Sequence, residues 1–147
     1  MKFLVATDGS DEAENALAYA ADIADAVGGS ITVAHAVDPA VYDEGGSEPI
    51  STLSDADQRL IIENIEATEQ RALDVLDRAV DSVDTVEGDG ELLYGDPDVA
   101  IADFAESEGF DAIYVGHRGR SARAEQMLGS VAKAIVERAT VPVTVVR

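Results

Sequence analysis

The chain has 147 residues, a length that fits one domain with a single ordinary core, and its 46% hydrophobic content argues against disordered and fibrous classes. Thirty acidic residues stand against ten basic ones, a formal charge of −20, whose long-range field repels phosphate and argues against nucleic acid and anionic membranes as partners. With no cysteine there is neither a disulfide framework nor a thiolate metal site or nucleophile.

No run approaches the roughly eighteen apolar residues of a membrane span. The N-terminal stretch meets acidic residues from Asp8 onward, too early for a secretory leader, so the expected location is the cytoplasm. The acidic residues lie along every predicted helix, and Lys2 and Lys133 are the only lysines. A plain solvated acidic surface is one reading. The sharper one is a halophilic surface, in which molar salt screens a self-repulsion that would loosen the fold in dilute buffer.

In chain order, the apolar run 2–7 reads as a strand buried on both faces. A helix follows, with Ala13, Leu17, Ala20, Ala24 and Val27 at three- and four-residue steps and Gly28–Gly29 as its stop. Residues 30–38 predict a second strand, and 39–54, with Gly45, Gly46, Ser47 and Pro49, a long loop and the most mobile segment. Residues 55–82 predict a long amphipathic helix with Ile61, Ile65, Ala72, Leu76, Ala79 and Val83 on its stripe. A weaker strand lies in the later part of 85–95. Asp96 as N-cap and Pro97 at the first helical position open the third helix. Residues 110–116 form a buried strand, 130–139 a short helix and 141–147 a last strand. Strands alternating with helices imply an α/β fold, a single doubly wound domain over 1–147 with a five-stranded parallel sheet covered on both faces. Ligands in such sheets sit beyond the strands' carboxyl ends, where the strand order reverses.

Residues 115–139 concentrate chemistry at one such end. Three of the ten basic residues, Arg118, Arg120 and Arg123, fall within six positions, among Gly116, Gly119 and Gly129. Glycine lets backbone amides approach a ligand, and the helix that follows offers unpaired N–H groups and a positive dipole end. Ser130 can cap that helix or turn its hydroxyl to a phosphate oxygen. The plain alternative is a glycine-containing turn with Ser130 as N-cap. No GxxxxGK[ST] is present and no stretch fits GxGxxG, which argues against a P-loop NTPase and a dinucleotide dehydrogenase. His35 reads as a packed, hydrogen-bonded strand residue, and His117 lies in the glycine loop with no second ligand for a metal.

The whole chain resembles the universal stress proteins of the UspA type. The resemblance is carried by "VATDGS", "AHAVD", the G-2x-G-9x-G-S spacing from Gly116 to Ser130, and the terminal "VPVTVVR". The glycine spacing is similar to that of the ATP-binding branch. The resemblance implies strand order 3-2-1-4-5, with the reversal between the strands ending at Thr7 and Val115. It also implies an adenine-nucleotide site. Asp8 resembles the aspartate that contacts ribose or a phosphate-bound cation, although it or Ser10 could instead cap the first helix. Ala36 resembles the position whose backbone recognises adenine. Gly116, Gly119, Gly129, Ser130 and Val131 match the ribose- and phosphate-contacting segment, and the small Ala6 fits the family pattern beside them.

The leading expectation is a regulatory protein that holds ATP, or ADP or AMP, with Mg²⁺. Hydrolysis would be slow or absent, since the sequence shows no Walker lysine, arginine finger or water-activating base. The alternatives are an adenylate-cleaving or adenylate-transferring enzyme of the same fold, disfavoured because "TDGSDE" lacks the paired glycines such enzymes carry after the first strand, and a nucleotide-free interaction module. Residues 139–146 contain no charge and sit at the expected sheet edge. The resemblance implies a homodimer that pairs these terminal strands, 141–147, antiparallel. Salt adaptation has its own test. The melting temperature should rise between 0.1 M and 2 M KCl, since screening is largely complete by about 1 M. A melting temperature equal or lower at 2 M would mean the charge excess is not an adaptation to salt.

Overall fold

In the computed structural model, residues 1–37, 55–118 and 128–147 are described, without the side chains of 55–65. The expected 39–54 loop, Gly119, Arg120, Arg123 and the side chains of Ile61 and Ile65 therefore lie outside the described residues. The chain runs β1 (Lys2–Ala6), α1 (Asp11–Val27), β2 (Ser30–Val37), α2 (Asp55–Asp81), β3 (Gly88–Tyr94), α3 (Pro97–Ser107), β4 (Ala112–Gly116), α4 (Ser130–Arg138), β5 (Val143–Val146). The strands form one sheet in the order β3-β2-β1-β4-β5, every pair parallel. This is the doubly wound α/β order expected from the sequence.

Alternation along the central strands sends side chains to two separate cores. Phe3, Val5, Ile31, Val33 and Tyr114 pack under α1 and α2, against Leu17, Ala20 and Leu76. Leu4, Ala34, Ile113 and Val115 pack under α3 and α4, against Ile101, Ala105 and Ile135. Both faces are apolar because both are covered, which is why these strands read as unbroken apolar runs. Burial raises the Tyr114 hydroxyl's pKa, and neighbouring Tyr19 adds to the rise. It stays neutral at ordinary pH.

The caps follow the sequence closely. Ser10 is the N-cap of α1, its Oγ accepting from Ala13 N at 3.2 Å, and Gly28 ends the helix at φ +69 with its N–H on Ala24 O. Val27 departs from the predicted stripe: it is half exposed in the last turn of α1. Asp96 occupies the N-cap of α3 but makes no side-chain cap bond. At α4 the N-cap is Gly129, so Ser130 is the first helical residue and not the cap. Among the described residues, no helix is long and apolar enough to cross a membrane.

One glycine decides how the two halves of the sheet meet. A Cβ added to Gly116, the last residue of β4, would lie 2.8 Å from the carbonyl carbon of Glu12 and 3.0 Å from Ala13 N. The first turn of α1 occupies the space a side chain would need, and both atoms belong to backbone. Gly116 is thus required for packing, a reason different from the close approach to a ligand that its spacing suggested. Gly116→Ala should force α1 away from β4 and cost roughly 1–3 kcal/mol, read as a lower urea midpoint. An unchanged midpoint would show that helix and strand separate at no cost.

Candidate functional site

Beyond the carboxyl ends of β1 and β4 lies a cavity of about 160 Å³. Ala6, Asp8 and Ala36 form one side of its wall, and Val115, Gly116, Gly129, Ser130 and Val131 the other. The structure brings together every sequence-predicted site residue that it describes. Gly119 is outside that set.

The local geometry explains each placement. β1 ends at Ala6, while β2 continues for three more residues along β3. Thr7 N donates to Ala34 O at 2.9 Å, and Gly95 N donates to Val37 O at 3.0 Å. By the alternation of a parallel ladder, the backbone polar groups of Ala36 face the side that β1 has left, into the gap. After β1 the chain turns at Gly9, whose φ of +80 suits glycine. Asp8 Oδ1 accepts from Ser10 N at 2.9 Å, which pins that turn, so Asp8 braces the entry to α1 and Ser10 caps it. His35 Nδ1 meets Thr7 O at 2.7 Å, the hydrogen-bonded setting expected of it, with the ring nitrogen as donor.

Three helices start at this cavity. Ser10 is the N-cap of α1, Pro97 the first residue of α3 and Gly129 the N-cap of α4, and all three line the wall. Helix N-termini carry partial positive charge and undonated N–H groups, so their convergence favours an anion. At α4, Gly129 N donates back to His117 O at 2.8 Å and Lys133 N closes the first helical turn on Gly129 O at 3.0 Å; the N-cap is a glycine, so it brings no side chain to the amides between. A larger cavity of about 390 Å³ opens between α1 and α2, lined by Thr7, Glu14, Val75 and Arg78 among others. It collects no helix start from α3 or α4, so the smaller one is the chemical candidate.

Several wall residues were not singled out from the sequence as site residues: Thr7, His35, Pro97, Ile101 and Ala132. Their signal is only that each neighbours a strand end or helix start. Arg118 was noted for its charge, and the structure adds its partner: Nη2 donates to Glu12 Oε1 at 2.9 Å, with both side chains about three-quarters buried. Glu12 had read as one more acid on a helix face. Among the described residues, no cluster of three or more His, Asp or Glu could hold a metal ion. A cation here would be held through a ligand's own oxygens, with Asp8 beside it.

Known proteins with this fold and these elements are readily found. The model of the universal stress protein family matches residues 1–147. A universal stress protein encoded in the QAH/OAS sulfhydrylase 3′ region of Thermus aquaticus is 36% identical, covering 98% of this chain and 96% of that one. UspA from Lactobacillus plantarum superimposes with a TM-score of 0.80 at 26% identity, over 100% of this chain and 97% of that one. A universal stress protein from Archaeoglobus fulgidus, solved in complex with dAMP, gives a TM-score of 0.66 at 30% identity, over 100% and 98%. With its sheet order, its glycine loop and a family match along its entire length, the chain belongs to the universal stress protein family.

Proposed function

We propose that the cavity binds an adenine nucleotide, ATP first among them, and that the bound state serves a stress-response or regulatory role with slow or no hydrolysis. The observation that carries this reading is the convergence of three helix starts on one cavity, with a glycine as the N-cap of α4. The phosphates lie against Gly129–Val131, where N–H groups and the dipole meet them. Adenine lies in the gap beyond β1, where the backbone of Ala36 offers a donor and an acceptor at the edge of a base. Asp8 stands where a carboxylate can accept from a ribose hydroxyl or meet Mg²⁺ through water. Mg²⁺ commonly binds through one or two carboxylates plus phosphates, so the described residues fit a cation carried in with the nucleotide. The dAMP-bound relative supports the adenine class.

Slow hydrolysis follows from what a phosphoryl-transfer site needs. Such a site requires a group to orient water and cations to neutralise the developing charge. The charged residues described in the wall are Asp8 and Arg118, and Arg118 is paired with Glu12. We read the protein as cytoplasmic and adapted to concentrated salt, a reading supported by its formal charge of −20.

A homodimer through the last strand is the assembly we favour. β5 pairs with β4 on one side and is the edge of the described sheet on the other. Pro142 O and Val146 O accept from β4 and the residue after it, so by alternation Val143 and Val145 turn their amides outward. Their side chains pack on the α3/α4 core, which makes a charge at 145 a probe of folding more than of the contact.

Two measurements test these readings. Gly129→Asp places a side chain and a negative charge where phosphate would sit, and should weaken ATP binding at least about tenfold, roughly 1.4 kcal/mol. Equal affinity of wild type and variant by calorimetry in molar salt would remove the phosphates from this loop. Val145→Pro deletes one outward N–H while sparing the β4 ladder, and should shift a dimer toward monomer. Light scattering that gives monomer mass for the wild type, or a dimer indifferent to Val145→Pro, would place the contact elsewhere.

A further inference from the structure

The pair between Arg118 and Glu12 stands at the cavity wall in an uncomfortable setting. Arg118 follows His117, whose carbonyl takes the Gly129 N–H, so its backbone stands beside the start of α4. Its guanidinium reaches the first turn of α1. A cation between two helix N-termini meets the wrong end of both dipoles, and a carboxylate partner offsets that. The offset is incomplete. Arg118 Nε is buried and has no hydrogen-bond partner among the described residues, a position that costs a donor its hydration without replacement. The described charges in the wall are the carboxylate of Asp8 and this one guanidinium, with Glu12 behind it on α1.

We propose that Arg118 rests on Glu12 while the cavity is empty and transfers to a phosphate oxygen when a nucleotide enters, so that Glu12 competes with the ligand for the guanidinium and sets the affinity for it. This rests on the nucleotide reading. The transfer satisfies both parties. A phosphate presents several acceptor oxygens to the planar fork, including one for a donor that Glu12 leaves unmet. Phosphate is also the charge that the helix starts favour, so dipoles and guanidinium act together only once the ligand is in place. Glu12, released, stays at the first turn of α1, where a carboxylate is favoured by the dipole without Arg118. The site is thereby tuned to the phosphate group itself, with the nucleoside part left to the backbone of the gap.

Competition and simple tethering predict opposite outcomes for a conservative change. Glu12→Gln keeps an acceptor oxygen near Arg118 and removes the charge that holds it. Calorimetry on the full chain in molar salt would compare ATP and AMP with adenosine, which lacks phosphate. Under competition Glu12→Gln tightens ATP and AMP by about two- to fivefold, the range of a weak ion pair. Arg118→Gln weakens both by about tenfold or more. The double variant then matches Arg118→Gln alone, because Glu12 acts only through Arg118. Adenosine affinity stays within about twofold in all variants. Nucleotide affinity that is unchanged or weaker in Glu12→Gln would overturn the competition. So would an Arg118→Gln that loses adenosine and AMP equally, since that is the mark of a structural tether. A wild type that binds none of the three ligands would instead overturn the nucleotide reading itself. Glu12→Gln keeps the size and shape of the side chain and changes only its charge, so it decides the matter even if Arg118→Gln folds poorly.

Discussion

The carboxyl end of the sheet is organised by the approach of β4 to the first turn of α1, an approach that only a residue without a side chain permits. Gly116 makes it possible: the space for a Cβ there is filled by the backbone of Glu12 and Ala13. Close packing at this point has three consequences. It brings the start of α1 beside the loop after β4, it puts Glu12 within reach of Arg118, and it narrows the reversal between β1 and β4 into a cavity. A wider separation would leave an open groove with the same residues too far apart to share one ligand.

That geometry also bears on how so acidic a molecule would offer the anion site proposed for it. The net charge acts at long range and is screened within about 10 Å at ordinary ionic strength. Helix starts act at contact distance, through N–H groups that point at the ligand. Three of them border one cavity, with Arg118 as the one guanidinium described in its wall, so the local field there differs in sign from that of the surface carboxylates. The alternative device, a cluster of lysines, would add flexible and strongly hydrated charges to a chain that has only two.

Much of this was legible in the sequence because it rests on local rules. Unbroken apolar runs marked strands covered on both faces, Ser10, Pro97 and Gly28 marked helix ends, and the alternation of elements required a parallel sheet. The glycine spacing marked the loop after β4. The parts that escaped depend on contacts between distant segments. Gly116 reads from sequence as a ligand glycine, since nothing near it in the chain announces that Glu12 and Ala13 will fill its side-chain space. Glu12 reads as a solvated helix acid because its partner lies 106 residues away. Val27 obeys the apolar period of α1 yet is half exposed in the helix's last turn, because periodicity reports a helix face and not how much of that face is covered. Ser130 fits both a cap and a helical position, and one residue of register separates them.

Ionic strength enters this protein twice, with opposite signs. Screening relieves the repulsion among surface carboxylates and favours the compact state. The same screening weakens attraction between the cavity and a phosphate, most of all for charges that remain wet. A site built from exposed lysines would therefore lose affinity under the conditions that steady the fold. A site built from backbone amides at helix starts and a largely buried guanidinium loses less, because buried partners are screened much less than exposed ones. Under the proposed reading, phosphate contacts on the main chain of α4 and on Arg118 would let one molecule keep a heavily charged surface and an anion site together. The cost is that a largely buried guanidinium needs a counter-charge, and Glu12 on the first turn of α1 is the carboxylate the fold puts beside Arg118.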